Sequence, residues 1–288
     1  MRSKAGGSQK RGSRSGIATL LTAAVFCFVI SSNWLVSPFS IGMIEGDVKK
    51  CEEMRNKVVV IVGATGGIGS ALTLKLERTG AMLVLAARQA DRLSQLSAAI
   101  SDGQAIAVPT DITQPDQVEA LMQKAIAQFG QIDALVNVAG AGIMKQFNKL
   151  EAADLDAMLE LNLKGCFYTM QAAANYMKDK RSGHICNVIG ILGKHSMPMA
   201  TAYCASKFGA VGLSKCMAEE LRRYNIKTTL FYFGGVDTPF WDGVSLKVDR
   251  SKMLRPETAA DAILYALSAE PQAVPMEINI QPDSHLFF

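Results

Sequence analysis

Short paired cysteine spacings are missing from this 288-residue sequence, although it holds six cysteines. Without them neither a metal cluster nor a disulfide framework is expected. Cys27, Cys51, Cys166, Cys186, Cys204 and Cys216 read instead as small apolar residues. Aromatics are scarce at 7%, while 49% of residues are hydrophobic, which suits a helix-rich α/β protein. Distributed basic charge is also missing. The net charge of +4 traces to Arg2, Lys4, Lys10, Arg11 and Arg14, and the remainder is close to neutral. No nucleic-acid partner is expected, because such proteins spread basic residues over a folded face.

Charge of either sign is absent from Ile17 to Ile44. Residues 1–16 form a Gly/Ser/Lys/Arg-rich arm that cannot bury a core and is expected to be disordered. Residues 17–44 form a hydrophobic segment. Ile17 to Ile30 is its most apolar part, and Trp34, Leu35 and Val36 extend it to a plausible span with Trp34 at an interface. A membrane signal-anchor, a cleaved targeting peptide and an amphipathic helix all fit. No Ala-x-Ala cleavage site stands out. The expectation is membrane association through residues 17–36, in the endoplasmic reticulum, or import into a plastid or mitochondrion. An anchor with this basic flank places the N-terminus on the cytosolic side and the folded domain in a lumen. Residues 45–56 are a polar linker, and residues 57–288 are one large domain.

Val58-Val59-Val60-Ile61-Val62 is an unbroken β-branched run, the mark of a strand buried on both faces. Gly63, Thr65, Gly66, Gly67, Ile68 and Gly69 then form a glycine-rich turn into a helix. Strand, glycine turn and helix N-terminus together receive a pyrophosphate. The spacing is Gly-x-x-x-Gly-x-Gly, not Gly-x-Gly-x-x-Gly. Met82 to Ala87, Ala105 to Pro109, and Ile132 to Gly140 read as further strands, with helices at Ala90 to Ile100 and Pro115 to Phe129. Such alternation predicts a doubly wound parallel sheet of the Rossmann-like α/β class, flanked by helices. Gly63, Arg88, Asp111, Asn137 and Gly140 fall at the carboxyl ends of strands, where ligands of such sheets bind. No acid ends the second strand. An acid there holds ribose hydroxyls, whereas the cation Arg88 accepts a 2′-phosphate, so NADP(H) is the expected cofactor. Methyl transfer on a Rossmann sheet also wants that acid and is disfavoured.

Gly63/Gly67/Gly69, Asp111-Ile112, Asn137-Val138-Ala139-Gly140 and Tyr203-Cys204-Ala205-Ser206-Lys207 together resemble the short-chain dehydrogenase/reductases, over roughly Lys57 to Pro282. The resemblance implies about seven strands, a nicotinamide cofactor and interconversion of a carbonyl with a secondary alcohol. It implies cofactor contacts from the glycine turn, Arg88, Asp111, Ile112, Asn137, Ala139, Gly140, Tyr203, Lys207, Val236 and Thr238. It makes Asn162, within a predicted helix from Leu155 to Tyr176, the holder of a relay water; a helix-bend role is the alternative. Tyr203 and Lys207, one turn apart, become acid/base and tuner, since a nearby cation favours phenolate. The segment Phe240 to Leu254 falls where the family has a mobile lid. A lipophilic substrate and a homodimer or homotetramer are also implied.

A hydroxyl is missing where the family has one. Gly190 stands at the position of the serine that bonds the reacting oxygen, and losing one such donor typically costs about 10²–10³ in rate. Ser196, His195 or Thr201 are the conceivable substitutes; a substrate with its own internal donor is another solution. Two functions follow: an NADP(H)-dependent reductase, or a non-catalytic NADP(H)-binding sensor or scaffold in which Gly190→Ser is expected to restore activity.

Overall fold

The computed structural model describes residues 52–284. The basic arm, the hydrophobic segment and residues 45–51 of the linker lie outside the described residues. Among the described residues there are seven strands: β1 (Val58–Val62), β2 (Met82–Ala87), β3 (Ala105–Pro109), β4 (Ala134–Asn137), β5 (Gly183–Val188), β6 (Ile226–Phe233) and β7 (Glu277–Ile280). They form one sheet in the order β3-β2-β1-β4-β5-β6-β7, every pairing parallel. The helices are α1 (Gly67–Glu77), α2 (Ala90–Ala98), α3 (Pro115–Phe129), α4 (Ala152–Leu159), α5 (Gly165–Lys180), α6 (Thr201–Leu221) and α7 (Pro256–Leu267).

β1 explains the architecture. All five of its residues are buried, as the β-branched run predicts. Alternate side chains serve opposite faces. Val59 and Ile61 join Leu72 and Leu76 of α1 and Ile263 of α7 in one core. Val58, Val60 and Val62 join Leu121 and Met122 of α3 and Met170 of α5 in the other. Each large apolar side chain so buried contributes roughly 1.5–3 kcal/mol. At its carboxyl end, Val62 pairs with Ala86 on one side and Asn137 on the other. Strand order reverses at this point, so a crevice opens beyond Val62 between the loops after β1 and β4.

The predicted helix from Leu155 to Tyr176 differs in the structure. Helical backbone runs from Ala152 to Lys180, but Glu160–Lys164 is a π-helical turn between α4 and α5. Asn162 lies in it, and its amide bonds the backbone of Ala141 instead of facing solvent. The extra residue in the turn lets that side chain leave the helix face. The helix carrying Tyr203 runs to Leu221, which is buried.

The expected membrane placement needs correction. Among the described residues no helix is long and apolar enough to cross a membrane.

Candidate active site

The glycine turn closes on itself. Gly63 has φ +88°, and a Cβ there would lie 2.6 Å from the Ala139 nitrogen. A Cβ on Gly69 would lie 2.2 Å from the Gly63 carbonyl oxygen, so only glycine lets α1 start against β1. The N-cap of α1 is Gly66, with no side-chain cap and no acid in the first turn. The helix therefore offers its first amides to the crevice with no competing anion, which fits a pyrophosphate. Gly66, Gly67 and Ile68 line the cavity above, and Thr65 is half-buried beside them.

The other predicted cofactor residues take two kinds of position. Arg88 is exposed just beyond β2, next to Ala87. Asp111 follows β3, and its Oδ1 accepts from Thr113 N at 3.0 Å and Thr113 Oγ1 at 2.9 Å, which fixes the loop. Ile112 is buried against Gly165, where a Cβ would meet Ile112 Cδ1 at 2.8 Å. Ala139 donates its N–H to Val62 O at 3.0 Å, which brings the loop after β4 onto the glycine turn. Asn137 is turned away from the crevice mouth. It is buried, and its Nδ2 donates to Asn187 Oδ1 at 2.8 Å, tying β4 to β5 from below.

A cavity of about 230 Å³ sits at the carboxyl ends of the strands, with Tyr203, Lys207, Val236, Thr238 and Gly190 on its wall. Tyr203 and Lys207 project from one face of α6, and Lys207 Nζ lies 5.7 Å from the Tyr203 ring centre. The ammonium donates to Val188 O at 3.3 Å. Burial lowers Lys207 to about 8. Burial likewise raises Tyr203 above the ordinary phenol value. The sequence predicts a phenol pulled down by its neighbour; here burial dominates and raises it, and the phenol keeps its proton at neutral pH.

Asn162 is buried, and its amide links the loop after β4 to α6. Its Oδ1 accepts from Ala141 N at 3.2 Å, and its Nδ2 donates to Ala141 O at 3.0 Å and Ser206 Oγ at 3.1 Å. A Cβ on Gly140 would lie 3.2 Å from Asn162 Oδ1 and 3.4 Å from Lys207 Nζ, so these three residues meet. Beneath them is a cavity of about 10 Å³, walled by Asn137, Asn162, Cys166, Asn187 and Lys207. That is room for about one water, and Asn137 Oδ1 is a buried oxygen there without a partner. Burial pushes the Cys166 thiol up to about 11, so it behaves as an apolar neighbour. A larger cavity, about 640 Å³, lies around His184 and Thr228 towards the amino ends of β5 and β6 and holds no comparable tyrosine–lysine pair.

Gly190 has φ +87°, and a Cβ there would lie 3.4 Å from Tyr203 Oη. Ser196, His195 and Thr201 do not line the cavity, and Ser196 and Thr201 are exposed, so none replaces the missing hydroxyl. Sequence reasoning missed the aromatic wall. The Phe240 ring lies 5.9 Å from the Tyr203 ring, and Trp241 meets Phe240 edge-on at 5.3 Å. Trp241 Nε1 donates to Val236 O at 2.9 Å. Arg250 donates to Asp242 Oδ1 at 2.7 Å and to Thr238 O at 3.1 Å, and also pairs with Asp237. The only signal for this was the Phe-Trp pair following the Thr238-Pro239 step.

Comparison with known proteins agrees with this geometry. The family model of the short chain dehydrogenases matches residues 57–248. An uncharacterized oxidoreductase of Staphylococcus saprophyticus is 33% identical over 240 residues, covering 80% of this chain and 98% of its own length. Among solved structures, an alcohol dehydrogenase from the archaeon Thermococcus sibiricus, complexed with 5-hydroxy-NADP, is 26% identical at a TM-score of 0.74, covering 81% of this chain and 99% of its own. A metagenomic short-chain oxidoreductase in complex with NADP is 30% identical at a TM-score of 0.69, covering 80% and 98%. The bacterial relative matches over nearly its whole length while a fifth of this chain stays unmatched. The expected endoplasmic reticulum, plastid or mitochondrial placement therefore finds no support in relatives or fold. Fold, crevice and relatives agree: the chain belongs to the short chain dehydrogenase family and is an oxidoreductase that uses a nicotinamide cofactor.

Proposed function

We propose that the protein is an NADP(H)-dependent reductase interconverting a carbonyl and a secondary alcohol on an apolar substrate. The observation that carries this is the placement of Tyr203 and Lys207 at the mouth of the glycine turn. The bound nicotinamide supplies or accepts the hydride. The chain supplies the rest. The glycine turn and the first amides of α1 hold the pyrophosphate, and Arg88 meets the 2′-phosphate. Tyr203 Oη, protonated at neutral pH, gives its proton to the carbonyl oxygen. Lys207 orients the ribose beside the phenol and stabilises the phenolate left behind. Asn162 and the small cavity beneath Lys207 hold the water through which that phenolate is reprotonated. Met144, Ile191, Leu192 and Phe240 exclude solvent and favour an apolar substrate.

The test is NADPH consumption by the full chain across a carbonyl panel. Tyr203→Phe is expected to abolish turnover while calorimetric NADPH binding persists; continued turnover in that variant refutes the mechanism. Arg88→Ala is expected to cut the preference for NADPH over NADH by about 10–100-fold, the worth of roughly 1.5–3 kcal/mol for a hydrogen bond to a charged group. An unchanged ratio of KM values removes Arg88 from the cofactor site. Gly190 motivates a second reading, a non-catalytic NADP(H)-binding sensor or scaffold, for which NADPH binds but no carbonyl turns over.

A further inference from the structure

A carbonyl oxygen gaining charge during reduction needs more than one donor, because each oxyanion donor is typically worth about 10²–10³ in rate. At the Gly190 corner the wall supplies one hydroxyl, Tyr203 Oη, and Gly190 adds none. Trp241 Nε1 donates to Val236 O, and one of the three Lys207 ammonium hydrogens points to Val188 O. The Thr238 side chain lies with its Cγ2 and Cβ against Gly67 of the glycine turn, and its Oγ1 accepts from Phe240 N. The Gly190 N–H donates to Phe231 O at 3.0 Å.

The same glycine leaves a corner. The point where its Cβ would stand is 3.4 Å from Tyr203 Oη and 3.9 Å from the backbone oxygen of Phe233. Around this corner the wall is apolar, from Ile189, Ile191 and Leu192. One acid and one backbone acceptor within reach of an otherwise apolar niche suit a hydroxyl group.

We propose that the substrate is an apolar ketone carrying a hydroxyl on the adjacent carbon, and that this hydroxyl occupies the Gly190 corner. This rests on the reductase reading above. In the ground state the hydroxyl donates to Phe233 O. As hydride arrives from the reduced nicotinamide and Tyr203 passes its proton to the carbonyl oxygen, the hydroxyl turns to donate to that oxygen. Such a bond is strengthened by the developing charge. The products are a vicinal diol and oxidised cofactor, so atoms and electrons balance. Phe240 and Met144 take the apolar end.

The experiment compares 2-hydroxyacetophenone, 2-methoxyacetophenone and acetophenone with NADPH and the full chain. The methoxy compound has the same shape at the oxygen and can accept but not donate. The expected result is a kcat/KM for the hydroxyketone about 10²-fold above both others. A second readout is binding without turnover. Quenching of Trp241 fluorescence, in the presence of oxidised cofactor, is expected to give the hydroxyketone a lower Kd than its methyl ether. Gly190→Ala, which fills the corner, is expected to erase the preference, but its φ strains any side chain; the ligand series alone decides the matter. Equal kcat/KM and equal Kd across the three ketones overturn the proposal and leave the reductase reading standing. No turnover of any ketone, with NADPH bound, overturns both.

Discussion

Lys207 sits in an environment that its sequence neighbours do not suggest. Its folded value is lowered from 10.5 to about 8, so between pH 8 and 10 the unfolded chain still binds a proton that the folded chain has released. More protons on the unfolded state means that stability rises with pH through that window. Tyr203 acts in the opposite sense only above pH 10, where the unfolded phenol ionises and the buried one does not. The shift in denaturant midpoint of the cofactor-free protein from pH 7.5 to 9.5 is therefore expected to be more favourable for wild type than for Lys207→Met, in which the buried thiols still titrate against the fold. Gly190 is the other residue whose surroundings matter. At φ +87° a side chain costs about 1–3 kcal/mol, so Gly190→Ser is expected to destabilise the protein and not to restore activity by simple return of a hydroxyl. Thermal melts and a ketone assay on that variant check both halves.

Among the elements, the π turn at Glu160–Lys164 and the segment after β6 decide how the site is held. Asn162→Ala removes both bonds to half-buried Ala141 and the bond to the buried Ser206 Oγ. It is expected to cost about 1–3 kcal/mol for each buried group left unpaired, and to lower kcat more than it raises KM. Urea unfolding and steady-state kinetics separate the two effects. Arg250 clasps the aromatic segment through exposed partners, so Arg250→Ala is expected to cost no more than about 1 kcal/mol of stability. Its effect belongs on substrate KM, since Phe240 and Trp241 then lose a tether; an unchanged KM removes the clasp from substrate binding.

For the whole molecule, the sheet divides two cores that share no buried side chain. Leu72→Ala and Leu121→Ala, one in each, are expected to cost about 2–5 kcal/mol apiece. Because they lie on opposite faces, the double variant is expected to lose the sum within about 0.5 kcal/mol. Chemical denaturation of the three variants tests this. A large departure from additivity means that the faces communicate through the central strands.

The sequence by itself settled the sheet and its mouth. A run such as Val58 to Val62 has one comfortable state, a strand covered on both sides, and glycines at 63 and 69 are what a backbone this close to itself requires. Strand alternation and the one-turn spacing of Tyr203 and Lys207 are local properties, and local properties survive folding. Tertiary structure decided what depends on neighbours distant in sequence. It turned Asn137 below the crevice, opened the π turn at Asn162, and set Phe240 over Tyr203. It also reversed the expected shift of the phenol, because desolvation is set by how many groups surround a side chain, and no spacing along one helix records that number.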